Sequence, residues 1–204
     1  MTNDLLLERT SRIIGQDANK LTALYVWGSR AYGTHSHQSD WDLICIGDNL
    51  ETGHEYRNGD LNIHTVQTND WIRNIAEHQL RELECLSLPA HCRVIDTRPW
   101  GFHLDRQVLR HVWSAKASNS WVKAKKKIDV EGEWYIGLKS LFHSLRIIDF
   151  ATQLANTGTI DLTTSNHRWE GMKYMPVCPW DEIQPVYQPV YNELMTEFRK
   201  VAPK

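Results

Sequence analysis

The chain has few cysteines, and their spacing excludes the common cysteine-based sites. The four residues, Cys45, Cys85, Cys92 and Cys178, are scattered and form no Cys-x-x-Cys pair. Structural zinc sites and redox motifs use closely spaced cysteine pairs, and disulfide frameworks are typical of short secreted chains. We therefore expect reduced thiols, with neither zinc nor disulfides, in a cytosolic protein.

Long hydrophobic runs and a strong excess of charge are also missing. No apolar stretch reaches the ~18 residues that a membrane-spanning helix needs. The first residues lack a basic region followed by an apolar stretch, so we expect no secretory signal. A net charge of −2 gives no global attraction for nucleic acid, which would need a local basic patch. These absences favour a cytoplasmic globular protein without a membrane partner.

Apolar spacing divides the chain into an N-terminal part with strands and a C-terminal part of helices. A chain of 204 residues can form one sizeable domain, or a small α/β domain with a helical appendage. The punctuation Pro99-Trp100-Gly101 predicts a boundary between a domain at 1–98 and a helical region at 99–204. Strands are predicted at 22–27, 41–46, 60–66 and 92–95, helices at 3–14, 70–86 (capped by Asp70), 103–128, 134–156 and 186–201, and an irregular segment at 159–185.

A glycine turn follows the first predicted strand. Gly28 allows the backbone to turn tightly and to approach a ligand closely. Ser29 is expected to cap the short helix that follows, which leaves backbone N–H groups pointing outward. Such a helix start attracts phosphate oxygens, and Arg30 offers a charge-assisted contact to the same group.

Two carboxylates open the second predicted strand. Asp40 and Asp42 flank Trp41, and residues two apart in a strand project from the same face, about 6–7 Å apart along the chain. Two acids on one face repel each other unless a cation lies between them. Hard oxygen ligands with open coordination positions suit Mg²⁺ bound together with substrate phosphates.

Together these residues resemble a known signature. Gly28-Ser29, Gly33 and Ser39-Asp40-Trp41-Asp42 are similar to the motif of the DNA polymerase beta-like nucleotidyltransferase superfamily. The variant Gly-Ser-Arg-Ala-Tyr-Gly followed by Ser-Asp-Trp-Asp resembles its "predicted nucleotidyltransferase" branch. The resemblance covers most of the chain but is specific only over 28–42. It extends more weakly to Leu83-Glu84-Cys85-Leu86 and to Lys139, His143 and Arg146.

The resemblance implies both a fold and a reaction. The fold would be an α/β (α+β) nucleotidyltransferase domain with a small mixed sheet flanked by helices, and a C-terminal helical region beside the nucleotide cleft. The reaction would move a nucleoside monophosphate from an NTP, with ATP as the first candidate, to RNA, a protein or a small molecule. Two Mg²⁺ ions, or Mn²⁺ instead, would be held by Asp40, Asp42 and Asp60, and the nucleotide by Gly28, Ser29, Arg30, Ser39, Lys139 and Arg146.

The sequence offers three alternatives for the third metal ligand. Asp60 is the only carboxylate in the strand that follows the Asn58-Gly59 turn, but it stands at the very start of that strand. Asn62 and His64 share its face and are alternatives for the ligand position. A site with two acids would leave either a weaker metal site or a binding module without catalysis.

Basic residues further along the chain have two readings each. The run Lys116, Lys123 and Lys125–Lys127 fits a polynucleotide or triphosphate site, or equally a solvated helix face. Lys139 and Arg146 are seven residues apart and share a helix face with His143. Glu84 lies in an apolar run and would need a partner if buried, for which these basic residues are candidates.

Overall fold

The computed structural model describes residues 1–203, which form two compact units, one over residues 1–103 and one from residue 104 onward. The first contains an open, mixed five-stranded sheet with helices, and the second is helical. The predicted α/β (α+β) class with a small mixed sheet is confirmed at this level. Within the described residues, no helix is long and apolar enough to cross a bilayer.

The first unit alternates short helices with the five strands. The sheet has the order β3-β4-β2-β1-β5, in which β2 and β4 are parallel and the other neighbours antiparallel. The elements are α1 (Asn3–Ile14), β1 (Leu21–Trp27), α2 (Ser29–Tyr32), β2 (Trp41–Gly47), β3 (Glu55–Asn58), β4 (Leu61–Gln67), α3 (Thr68–Ala76), α4 (Leu80–Leu86) and β5 (Arg93–Asp96).

The second unit consists of helices packed around α6. Large apolar side chains from all four helices and from the segment before the last one meet in its core. The helices are α5 (Arg106–Asp129), α6 (Trp134–Thr157), α7 (Asn166–Met172) and α8 (Trp180–Val201).

The burial of β2 determines where polar chemistry can occur on the sheet. This strand lies between β1 and β4, and its residues Leu43 to Ile46 have no exposed surface. A strand buried on both faces carries apolar residues throughout. Only its first two residues, Trp41 and Asp42, are partly exposed. Polar groups of β2 are therefore confined to its N-terminal end.

The single helix predicted over 70–86 is wrong, because the chain breaks between α3 and α4. The break is at His78, which has a φ of 56° and whose Nδ1 donates to the Ala76 carbonyl oxygen at 2.9 Å. Its ring packs edge-on against Phe102. The cap of α3 is Gln67 rather than Asp70, since the Gln67 side chain accepts bonds from the N–H groups of Asn69 and Asp70.

The predicted start of the last helix is also wrong. The helix α8 begins at Trp180 and continues through Pro185 and Pro189, although proline removes a helix hydrogen bond. Trp180 is buried, and its N–H donates to Asp129 Oδ1 at 3.1 Å. Tertiary packing of this first turn therefore outweighs the cost of the prolines. The segment 159–185, predicted to be irregular, contains α7 and this turn.

Gly137 lets two long helices approach each other closely. A Cβ built on this residue of α6 would collide with the Ile128 side chain and lie 3.1 Å from the Ala124 carbonyl oxygen of α5. A side-chain rotation alone cannot make room at this contact, because the Ala124 atom involved is a backbone oxygen. The absence of a side chain at Gly137 is thus part of the α5–α6 packing.

Replacing Gly137 by alanine should lower the free energy of unfolding by about 1–3 kcal/mol, because overpacking exceeds the gain in helix propensity of about 1 kcal/mol. Gly171→Ala is the matched control, since this glycine of α7 has open space around its Cβ position. Urea unfolding of both variants measures the difference. A Gly137→Ala protein as stable as Gly171→Ala would contradict the close packing.

Candidate functional site

The turn after β1 requires glycine. Gly28 has φ 70° and ψ −146°, a backbone region that is essentially restricted to glycine. It is the N-cap residue of α2, and its carbonyl accepts the N–H of Tyr32 at 3.1 Å. Ser29 is the first helical residue and does not provide the predicted cap. The short helix ends at Gly33 in the left-handed conformation.

The turn and the second predicted acid lie side by side. Antiparallel pairing of β1 and β2 places Trp27 opposite Asp42. A Cβ on Gly28 would lie 2.5 Å from Asp42 Oδ2, closer than side chains tolerate. The two halves of the motif therefore converge, and the lack of a side chain at Gly28 makes room for the Asp42 carboxylate.

Strand register continues this arrangement as a row across the sheet. Asp42 pairs with Asn62 of β4, and Asn62 pairs with Arg57 of β3. Asn62 Nδ2 donates to Asp42 Oδ1 at 3.1 Å and lies 3.3 Å from His64 Nε2. Asn62 Oδ1 is buried and has no hydrogen-bond partner within the described residues. We call Trp27, Asp42, Asn62 and Arg57 the cross-sheet row.

Asp60, the predicted third acid, lies outside this row. Its carboxylate forms an ion pair with Arg9 of α1 at 2.6 Å, and the bond from Arg9 lowers the pKa of Asp60. Its carbonyl accepts the N–H of Trp41 at 2.7 Å. The β4 residue next to Asp42 is therefore the amide Asn62. Among residues 1–203, no three His, Cys, Asp or Glu side chains cluster as a metal site would.

Arg30 holds the loop that carries Asp40. Its guanidinium donates to the carbonyls of Ser39 at 2.6 Å and Asp40 at 3.2 Å, and lies 4.0 Å from the ring centre of Trp41. Ser39 Oγ accepts the N–H of Ser36 at 2.9 Å. Arg30 and Ser39 thus fix the chain just before β2. The exposed Asp40 is the last residue of this segment.

A buried carboxylate supports the glycine turn from behind. Glu84 of α4 is 0% exposed, and its Oε2 accepts bonds from Trp27 Nε1 at 2.9 Å and Tyr32 Oη at 2.7 Å. These two neutral donors, neither of which was among the candidate partners from the sequence, therefore bind this carboxylate. Because Trp27 precedes the turn and Tyr32 follows it, Glu84 fixes both ends of the segment that contains Gly28.

The predicted basic helix face lies on α6 in the second unit, and its members differ in accessibility. Lys139 is exposed, whereas Arg146 is 6% exposed between the rings of Phe142 and Phe150. Arg146 Nη2 lies 2.8 Å from His143 Nδ1. Burial, together with the charges of Arg146 and Lys123, lowers the pKa of His143 to about 3. His143 is therefore a neutral acceptor for the buried arginine.

The lysine run on α5 is partly neutralised. Glu131 pairs with both Lys126 and Lys127, and Glu133 pairs with Lys127. These bonds raise the pKa of Lys127 and lower that of Glu131. Lys126 and Lys127, at the C-terminal end of α5, are therefore paired with carboxylates.

Arg57 is a residue of the site that sequence reasoning missed. The charges of Asp40 and Asp42 help to raise the pKa of Arg57, although the largest cause is its hydrogen bond to Glu55. Its position follows from the Asn58-Gly59 turn, which places Arg57 opposite Asn62. The strong turn signal was thus the available clue, because a tight hairpin fixes the register of its two strands.

No protein-family model matches this chain, and no curated protein matches it. The functional interpretation therefore depends on the chemistry of the glycine turn and the cross-sheet row. That region combines a glycine turn, two carboxylates, an amide and two arginines.

Substituting Gly28 by alanine should lower the free energy of unfolding by about 2–4 kcal/mol, because a strained backbone and a collision with Asp42 add together. Gly15→Ala is the control: Gly15 has φ 68° with nothing near its Cβ position, so only the backbone cost of about 1–2 kcal/mol applies. Urea unfolding compares the two. Equal losses would show that Asp42 does not crowd the turn.

The pKa of His143 predicts a specific loss of stability in mild acid. Between pH 6.5 and about 3 the unfolded chain binds a proton at this imidazole and the folded chain does not, so stability falls as pH decreases. The slope reaches at most about 1.4 kcal/mol per pH unit. His143→Gln removes this contribution, and urea unfolding at pH 7.5 and pH 5 should show a flatter dependence. Identical pH slopes would contradict an imidazole that stays neutral in the folded chain at pH 5.

Proposed function

We propose that this chain is a nucleotidyltransferase with a polymerase beta-like fold, which transfers a nucleoside monophosphate from an NTP to an acceptor nucleophile and releases pyrophosphate. The observation that supports this proposal most strongly is the close approach of Gly28 to Asp42 Oδ2. It places a glycine turn, of a kind that can approach phosphate closely, directly beside a carboxylate suited to a cation. The resemblance of residues 28–42 to the superfamily motif supplies the reaction class.

The residues around Asp42 fit a divalent cation. Asp40 and Asp42 would hold Mg²⁺ or Mn²⁺, and Asn62 Oδ1, a buried oxygen without a hydrogen-bond partner among the described residues, would be the third ligand. Amide oxygens are accepted ligands for hard cations, although they bring no charge. Bound there, the cation would neutralise the phosphates and lower the pKa of the acceptor hydroxyl. Asp60, tied to Arg9, would support α1 rather than the cation.

The protein's own contribution would be positioning. Asn62 orients the Asp42 carboxylate through its 3.1 Å bond, and Arg30 fixes the backbone at Asp40. Glu84 holds both ends of the glycine turn. Fixing these groups before substrate arrives reduces the entropic cost of reaching an in-line geometry. Arg57, at the far end of the cross-sheet row, is a candidate for the charge that develops on the phosphates.

The residue types in the cross-sheet row also favour a second function. An amide stands beside Asp42 where the superfamily resemblance implies a carboxylate, and the nearby Asp60 is engaged by Arg9. A cation site with two charges instead of three binds Mg²⁺ less strongly. The alternative is therefore a module that binds a nucleotide or an RNA end without transferring it.

Asp42→Asn should reduce Mg²⁺-dependent pyrophosphate release from NTPs at least about 100-fold, because an amide brings no negative charge to the cation and leaves the site with one carboxylate. Asp48→Asn is the matched control: it removes an exposed carboxylate just after the same strand. ATP is the first nucleotide to test, with RNA ends, proteins and small hydroxylated molecules as acceptors.

Three results decide the question. If pyrophosphate release is lost in Asp42→Asn and kept in Asp48→Asn, the result supports the transferase function. Calorimetric binding of Mg²⁺–NTP by the wild type, without release for any acceptor, supports the binding module. If Asp42→Asn keeps its fold by circular dichroism and releases pyrophosphate at the wild-type rate, the proposed site is wrong.

A further inference from the structure

A polar cavity of about 450 Å³ lies within the second unit, between α5 and α8. One face of α5 supplies four of its lining residues at helical spacing. The end of α8 supplies the fifth. The lining residues are Gln107, Arg110, His111, Ser114 and Arg199.

The charged side chains that line this cavity, among the described residues, are all basic. Two guanidinium groups and an imidazole line it, and none of the five lining side chains is a carboxylate. Among residues 1–203, neither Arg110 nor Arg199 forms an ion pair. Two like charges that share a cavity raise its potential and attract an anion. The other two lining side chains, Gln107 and Ser114, add neutral hydrogen-bond donors.

The position of Arg110 is fixed, which favours a built site over a loose surface patch. Its Nη1 donates to the Ala202 carbonyl at 3.1 Å. Arg110 Nε and Nη2 remain available for a ligand, and a guanidinium can bind a phosphate through two parallel bonds. Arg199 is exposed on the opposite wall and can approach the same anion from the other side.

We infer that the cavity between α5 and α8 binds a phosphate group, through Arg110 and Arg199 with His111, Ser114 and Gln107 as further donors. A volume of about 450 Å³ accommodates a small phosphate compound or the terminal nucleotide of a chain. Two permanent cations match a group with more than one negative charge better than a single carboxylate. This site is independent of Gly28 and Asp42, and it would exist even if the chain transfers no nucleotide.

The test uses the full chain in EDTA, so that cation-dependent binding at Asp42 does not contribute. Inorganic pyrophosphate is the first probe, measured by calorimetry. Arg199→Gln should weaken its binding at least about tenfold, because one of two guanidinium contacts is lost. Arg199→Lys should restore part of the affinity. Lys116→Gln, which removes an exposed charge from another face of α5, should leave binding within about twofold.

A second pair of probes separates the two sources of phosphate. A short single-stranded RNA with a 5′-phosphate that binds more tightly than its 5′-hydroxyl counterpart, with the difference abolished in Arg199→Gln, assigns the cavity to an RNA end. Equal binding of the two RNAs, with pyrophosphate binding retained, assigns it to a free phosphate compound. Absence of pyrophosphate binding, or equal weakening by Lys116→Gln and Arg199→Gln, overturns the inference. Asp42→Asn should bind pyrophosphate like the wild type, which keeps this test separate from the fate of the transferase proposal.

Discussion

The pairing of β1 with β2 is the constraint on which the candidate site depends. It brings the end of one strand beside the start of the next, so that Gly28 and Asp42 come within contact distance. No side chain larger than hydrogen fits at that turn without displacing the carboxylate. Because the centre of β2 is fully buried, only the N-terminal end of this strand is accessible to solvent. Backbone geometry and burial thus select the same place for a ligand.

The neighbouring strand adds both support and a difference. Asn62 donates to Asp42 and leaves a buried oxygen without a partner within the described residues, whereas Asp60 is drawn away by Arg9. The charge at the site is therefore lower than three carboxylates would give. Arg57 lies beside these residues, but its guanidinium is paired with Glu55 and adds no unbalanced positive charge. Under the proposed function, such a site would depend more on phosphate contacts and less on cation affinity than a site with three acids.

Local signals made much of the first unit predictable from sequence. The helix α1 ends where Gly15 adopts the left-handed conformation, and the strand–turn–strand motif needs only short-range pairing. The sequence narrowed the residue beside Asp42 to Asp60, Asn62 or His64 but could not select Asn62, because the parallel register of β2 and β4 is set by packing. The break at His78 carries no glycine or proline, and the start of α8 is hidden by prolines that packing tolerates. Arg110 and Arg199 are brought together by helices distant in sequence, so no spacing rule finds them.

The acceptor role of Glu84 has an evolutionary consequence. Its carboxylate is shared by an indole and a phenol that stand on either side of the turn, in a place with no exposed surface. A substitution of Trp27 or Tyr32 would remove a hydrogen bond from a carboxylate that has no exposed surface, and a bond left unmade in the interior is costly. Descendants of this sequence should therefore exchange Trp27, Tyr32 and Glu84 as a set, and a lineage that has lost all three has changed the way it anchors the turn.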